Sequence, residues 1–218
     1  EVFGPFADLL QAKYQSNPPD LIAVTDNTAF GFLLERREAL FGDVPVVFSG
    51  LNDYRPAMHA DASGVTGVAE RADFRGTIEL ALSLHPDARH LVSVSDSTLT
   101  GRINQRAFDR AVQTLGVDID VIRLADLTRD DLYARLRELP ADSVILSMSL
   151  FRTADGALFS AEEGSRFIVD ATDQPVYTAW DVVLGTGVVG GLVVSARGQA
   201  ETQAELAGRI LDGASADS

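Results

Sequence analysis

The stretch "DLIAVTDNTAFGFLLERREALFGDVPVVFSG", residues 20–50, decides the fold class. Leu21 to Thr25 is an apolar run too short for a helix, and the turn formers Asp26 and Asn27 follow it at once. An amphipathic helical pattern covers 28–41, and a second buried run, Val44 to Phe48, closes the unit. Two buried strands joined through a helix run parallel, because parallel strands need a long crossover. Residues 142–181, "DSVILSMSLFRTADGALFSAEEGSRFIVDATDQPVYTAWD", repeat the order with a longer turn. Either one unit is used in each of two lobes, or the echo is what any strand-helix-strand chain shows; only the Asp start and the Pro-Val strand match in letters.

The same alternation runs outward from both stretches. Leu91 to Ser95, Ile119 to Leu124, Val144 to Ser149, Val176 to Trp180 and Leu192 to Ser195 read as strands, with the less apolar Val65 to Ala69 beside them. Helices are predicted over 3–14, 28–41, 74–85, 98–115, 129–139, 161–172 and 197–212. Thr128 with Asp131 and Ser160 with Glu163 have capping-box spacing, and Gly116 stands where a left-handed cap ends its helix. The expected fold class is α/β with parallel sheets and right-handed crossovers.

At 218 residues and 46% hydrophobic, the chain can bury one sizeable core or two small ones. The net charge of −14 repels phosphate backbones and anionic lipid, and no stretch clusters Lys and Arg, so neither nucleic acid nor a membrane surface is an expected partner. Zero Cys excludes disulfides, zinc thiolates and thiol catalysis. No run approaches the roughly 18 apolar residues of a membrane span, and Glu-Val-Phe-Gly-Pro lacks the regions of a signal peptide, so the chain reads as a soluble piece of something longer.

"VVLGTGVVGG", 182–191, has glycines at dinucleotide-loop spacing, but that loop must open a helix, and here it leads into "GLVVSA". A flexible strand-to-strand connection is the expected use of Gly185, Gly187 and Gly190. There is no G-x-S-x-G elbow, no phosphate loop and no H-E-x-x-H; His59, His85 and His90 read as surface or capping residues. No catalytic residue, metal site or cofactor is expected.

In open α/β sheets ligands bind beyond the carboxyl ends of the strands. Asp26 and Asn27 after the first strand, Ser49, Gly50 and Asn52 after the Pro-Val strand, and Asp96, Ser97, Thr98, Thr100 and Gly101 after Leu91 to Ser95 occupy such ends. Each also has an ordinary use as a turn or cap, and both uses stay open. Phe151 and Arg152 extend the strand beginning at Val144, offering an aromatic face and a guanidinium, or else a solvated loop with Phe151 on the core. Trp180 and Asp181 end the partner strand, with core packing the other use of Trp180.

"PPDLIAVTDNTAFGFLLERREALFGDVPVVFSGLND" (18–53), "GVTGVAE" (64–70), "TIELALSLHPDARHLVSVSDSTLTGR" (77–102), "SVILSMSLFRTADG" (143–156) and "PVYTAWDVVLGTGVVGGLVVS" (175–195), as an ordered set, resemble the type I periplasmic binding-protein fold. The closest likeness is to its branch of ABC-transporter substrate-binding-like domains, which also serve as extracytoplasmic sensor domains of bacterial histidine kinases and diguanylate cyclases. The resemblance implies two Rossmann-like lobes and a hinge, lobe 1 from 1–70 plus about 194–218 and lobe 2 from 71–193, with a ligand cleft between them. It places the pocket on Asp26, Asn27, Ser49 to Asn52, Asp96 to Thr100, Phe151, Arg152, Trp180 and Asp181. Family members open with a further strand, helix and strand; lobe 1 is expected to lack them, exposing a sheet edge that predicts pairing with another chain, a homodimer included, or poor solubility.

The resemblance implies a periplasmic or extracytoplasmic, non-catalytic small-molecule sensor domain of a bacterial membrane-bound signalling protein of histidine kinase type, with any kinase or cyclase activity in the parent. The alternatives are a substrate-binding protein of an ABC transporter, an α/β enzyme using a residue such as Ser95, and the effector core of a cytoplasmic repressor. Arg152 with the hydroxyl-rich 96–100 loop suggests a carboxylate ligand, and Phe151 with Trp180 admits a flat one.

Overall fold

The computed structural model describes residues 3–60 and 62–217. The chain divides into two compact units, one of Glu1–Glu70 with Arg197–Ser218 and one of Arg71–Ala196.

Unit 1 contains α1 (Phe3–Tyr14), β1 (Ile22–Thr25), α2 (Asn27–Phe41), β2 (Val46–Asn52), β3 (Val65–Glu70) and nearly all of α7 (Ala196–Leu211). Its three strands pair in parallel in the order β1-β2-β3. Phe30 and Leu33 of α2 pack on Val24, Val46, Phe48, Leu51 and Val65, each such burial stabilising by about 1.5–3 kcal/mol.

The second strand does not stop at Phe48, as its Ser-Gly sequence suggests. Pairing slips between Phe48 and Leu51, where Gly50 takes φ +65°, and resumes at Leu51 against Ala69 and Asn52 against Glu70. A bulge residue in a left-handed conformation bends a strand without ending it. Ser49, Gly50 and Asn52 therefore belong to a strand and not to the loop after it.

The buried Gln203 of α7 binds the sheet from above. Its amide nitrogen donates to the carbonyls of Val24 (3.1 Å) and Val47 (2.8 Å), and its oxygen accepts from the Ser49 hydroxyl (3.0 Å). Gln203→Leu removes these bonds and leaves the Ser49 hydroxyl buried without that partner. Unpaired buried polar groups cost about 1–3 kcal/mol each, so a loss of about 2 kcal/mol is expected, read as a lower urea midpoint at unchanged slope.

Unit 2 contains α3 (Phe74–Leu84), β4 (His90–Ser95), α4 (Leu99–Leu115), β5 (Asp120–Ala125), α5 (Arg129–Arg137), β6 (Ser143–Ser147), α6 (Ala161–Asp170) and β7 (Val176–Thr178). All pairs in its β5-β4-β6-β7 sheet are parallel. Alternate strand residues feed two cores. Leu91, Val144, Leu146 and Tyr177 pack with Phe74, Ile78 and Phe108. Val92, Val94, Ile145 and Val176 pack with Leu132, Leu136 and Ile168. Cover on both faces is why these strands read as nearly continuous apolar runs. The two echoing stretches each form an adjacent parallel pair, β1 with β2 and β6 with β7.

Leu192 to Ser195 is not a strand. Gly190 and Val194 make isolated parallel bridges with Tyr177 and Trp180, and Gly190 (φ +128°) and Gly191 (φ +157°) interrupt the ladder between them. At Gly191 a Cβ would stand 2.1 Å from the Thr178 carbonyl oxygen. Glycine here permits close backbone approach to the edge of β7 and does not open a helix.

Helix starts follow their side chains. Glu163 N–H donates to the Ser160 hydroxyl (3.2 Å) and Ser160 N–H to the Glu163 carboxylate (2.8 Å), a full capping box. Thr128 accepts from Asp131 N–H (3.1 Å), and Gly116 ends α4 in the left-handed region. The bonds from Ser160, its backbone N–H first, hold the Glu163 carboxyl below its ordinary value. A lowered folded pKa contributes stability that is fully present above the unfolded value of 4.5 and lost as pH falls through the folded one. Ser160→Ala is expected to move the Glu163 titration, followed by carboxyl-carbon NMR, up toward 4.5.

Candidate ligand-binding site

In unit 2 the site is built around Asp96, immediately after β4 and 3% exposed. One carboxylate oxygen accepts from the Thr98 N–H (3.0 Å) and hydroxyl; the other accepts from the N–H groups of Phe151 (2.6 Å) and Arg152 (3.3 Å). Asp96 N–H donates to the Ser149 carbonyl (2.8 Å). One buried carboxylate thus ties the loop after β4 to the loop after β6. Thr98 caps α4 by accepting from Gly101 N–H (3.1 Å), and the Ser97 carbonyl accepts from the Arg102 guanidinium. Gly101 comes so close that a Cβ would stand 2.2 Å from the Asp96 carbonyl oxygen. Thr100 lies half-buried in the first turn of α4.

Downstream of that anchor, Phe151 is 39% exposed and Arg152 is exposed. Their backbone is held a second time, by an antiparallel bridge from Arg152 to Leu158 and a bond from Phe159 N–H to the Phe151 carbonyl (3.0 Å). Among the described residues the Arg152 guanidinium enters no ion pair. The backbone of both residues is fixed while an aromatic ring and a guanidinium, which can donate two parallel hydrogen bonds, are exposed.

The remaining expected residues of this unit are more committed. Trp180 packs half-buried against Phe74, ring centroids 5.7 Å apart. The Asp181 carboxylate accepts from Ala196 N–H (3.0 Å), the first residue of α7, where the helix dipole favours an anion.

In unit 1, Asp26 caps α2 by accepting from Asn27 N–H (2.7 Å) at φ 75°, ψ 151°, a region that only glycine visits freely. Asn27 and Asn52 bind each other reciprocally: Asn52 N–H donates to the Asn27 side-chain oxygen (3.0 Å), and the Asn27 amide donates to the Asn52 carbonyl (3.1 Å). Ser49 is taken by Gln203, and Gly50 N–H donates to Gln199 (2.9 Å), whose amide reaches Glu70 (3.0 Å). These groups brace the strand ends. Asp26 is held there in a strained conformation.

Sequence reading missed Gln199, Gln203 and Ser149. Ser149 is 5% exposed with no hydrogen-bond partner for its hydroxyl, two residues before Phe151. It was hidden inside the apolar run read as Val144 to Ser149, whereas β6 ends at Ser147. His59 pairs with the Tyr54 hydroxyl (2.9 Å), His85 with the Tyr177 hydroxyl (3.0 Å) and His90 with Asp142 (2.7 Å). Among the described residues no group of three His, Cys, Asp or Glu could hold a metal, and no helix is long and apolar enough to cross a membrane.

No protein-family model and no curated protein matches the sequence. Solved structures do. The ABC domain in complex with L-Trp from Streptococcus pneumonia superposes with a TM-score of 0.68 at 15% identity, over 99% of this chain and 72% of that one. The ligand-free, open structure of a substrate-binding protein with adhesive properties from Clostridium difficile gives 0.63 at 15% identity, over 98% and 72%. A solute-binding protein of an ABC transporter from Rhodopseudomonas palustris HaA2, in complex with p-hydroxybenzoic acid, gives 0.53 at 14% identity, over 85% and 50%. With both parallel sheets and this set of neighbours, the chain has the type I periplasmic binding-protein fold.

Proposed function

We propose that this chain is a small-molecule receptor, without catalysis, whose second unit takes a carboxylate ligand at the loops after β4 and β6. Arg152 pairs with the carboxylate and Phe151 lies against a flat or aromatic body. The observation that carries this is the Asp96 anchor, which holds the backbone of both residues while leaving their side chains outward. Two neighbours of the same fold were solved with aromatic carboxylates, L-Trp and p-hydroxybenzoic acid, which supports the ligand class.

Capture for an ABC transporter is the role these neighbours favour over the histidine kinase sensor expected from the sequence resemblance. Either role is extracytoplasmic. Because the chain carries −14, its long-range field opposes an anionic ligand, and the attraction to Arg152 acts at contact. Calorimetric titration with p-hydroxybenzoate and with p-hydroxybenzamide tests the reading. Heat is expected from the acid alone, with affinity that holds or rises between low salt and 0.15 M, where the screening length is about 8 Å. Equal binding of the amide would remove the role of the carboxylate.

A further inference from the structure

From Phe151 to Phe159 the chain folds back on itself as a short hairpin. Thr153 N–H donates to the Ala157 carbonyl (3.0 Å) and Phe159 N–H to the Phe151 carbonyl (3.0 Å), so these two bonds flank the antiparallel bridge between Arg152 and Leu158. Residues facing each other between such bonds form the closer kind of cross-strand pair, with side chains on one face and Cβ atoms about 4.5–5.5 Å apart. The opposite face is turned inward: Thr153 is buried, and the Phe159 ring packs against Phe167 with centroids 5.5 Å apart. Beyond the Asp96 bonds, the tip is tied down by Ala154 N–H on the Leu127 carbonyl (2.9 Å) and by Arg129 N–H on the Asp155 carboxylate (3.1 Å). Leu158 is nonetheless 77% exposed, more than any other large apolar side chain among the described residues.

We propose that Leu158 is a specificity-determining residue of the carboxylate site, selecting acids that carry an apolar body next to the carboxyl group over small acids such as acetate. The inference rests on the reading of Arg152 as the partner of the carboxylate. An acid held by the Arg152 guanidinium brings its body within reach of Leu158, because the two side chains leave the same face of a hairpin that is anchored at its base and at its tip. The single methyl of acetate covers little of the leucine, whereas a ring removes a large part of it from water. The hairpin backbone is already ordered in the fold, so the covered area counts toward affinity instead of being offset by loop ordering. Scattered apolar residues at a surface are ordinary; the position directly opposite Arg152 is what assigns this one.

The test is amide NMR of the whole chain titrated with benzoate and with acetate, for wild type, Leu158→Ala and Arg152→Ala. Wild type is expected to bind benzoate at least about tenfold more tightly than acetate, with saturable shifts at the Arg152 and Leu158 amides. Leu158→Ala is expected to lower that ratio at least about threefold. Its urea midpoint should not move, because the side chain is 77% exposed and the loss is one of contact with the ligand. An unchanged ratio in Leu158→Ala, or benzoate bound no more tightly than acetate by wild type, would overturn the role of Leu158. Failure of the carboxylate reading shows differently, as full binding of both acids by Arg152→Ala or no saturable shift with either acid in wild type, and it would remove the ground of this inference with it.

Discussion

Replacing Asp96 by Ala is expected to destabilise unit 2 by about 3 kcal/mol, because four part-buried donor groups lose a charged acceptor at once and a hydrogen bond to a charged group contributes about 1.5–3 kcal/mol. The donors belong to two loops: Thr98 at the start of α4, and Phe151 and Arg152 after β6. The loss is therefore not confined to one turn. Asp96→Asn keeps one acceptor oxygen and should cost about half as much. Urea denaturation measures the cost, and hydrogen exchange locates it, with faster exchange at the Phe151 and Arg152 amides. An Asp96→Ala protein of unchanged stability and protection would mean that the carboxylate does not hold these loops.

The second large effect is expected at Gly191. An added methyl would meet the Thr178 carbonyl at 2.1 Å and the Thr77 side chain at 2.8 Å, so backbone at the edge of β7 must move. Overpacking of this kind costs about 1–3 kcal/mol and the unfavourable φ adds to it, giving about 3 kcal/mol for Gly191→Ala. Gly185 is the control. It too has positive φ, +86°, but nothing lies within 4 Å of a Cβ there, so Gly185→Ala should cost only the backbone term of about 1–2 kcal/mol. Equal melting temperatures for the two variants would show that the close approach does not govern Gly191.

Much of the fold was legible because its signals are local. Ser160 and Thr128 announce helix starts through bonds to residues three positions on, and Gly116 ends α4 by its own conformation. Alternation of buried runs with amphipathic helices was enough for parallel sheets. What stayed hidden depends on partners far away in the chain. Ser-Gly after Phe48 reads as a turn, and only pairing with Ala69 and Glu70 carries β2 on to Asn52. Leu192 to Ser195 is apolar enough for a strand, yet the two glycines ahead of it break the ladder against β7. Gln203 looks like an ordinary polar helix residue, and its acceptors lie more than 150 positions earlier. Asp96 shows the same limit at the site: its sequence neighbours suggest a cap or a ligand contact, while one of its carboxylate oxygens accepts from the N–H groups of residues 151 and 152. Phe151 and Arg152 could be nominated from their place after a buried strand. That their backbone is fixed and their side chains turned outward could not.

The most direct measurement of the central claim is the affinity of wild type and Arg152→Ala for L-Trp and p-hydroxybenzoate, by calorimetry on the folded chain. A hydrogen bond to a charged group contributes about 1.5–3 kcal/mol, so at least one aromatic carboxylate should bind the wild type and bind Arg152→Ala about ten- to a hundredfold more weakly. Equal affinity in the two proteins, or no binding of either acid to wild type, would contradict a carboxylate receptor built on Arg152.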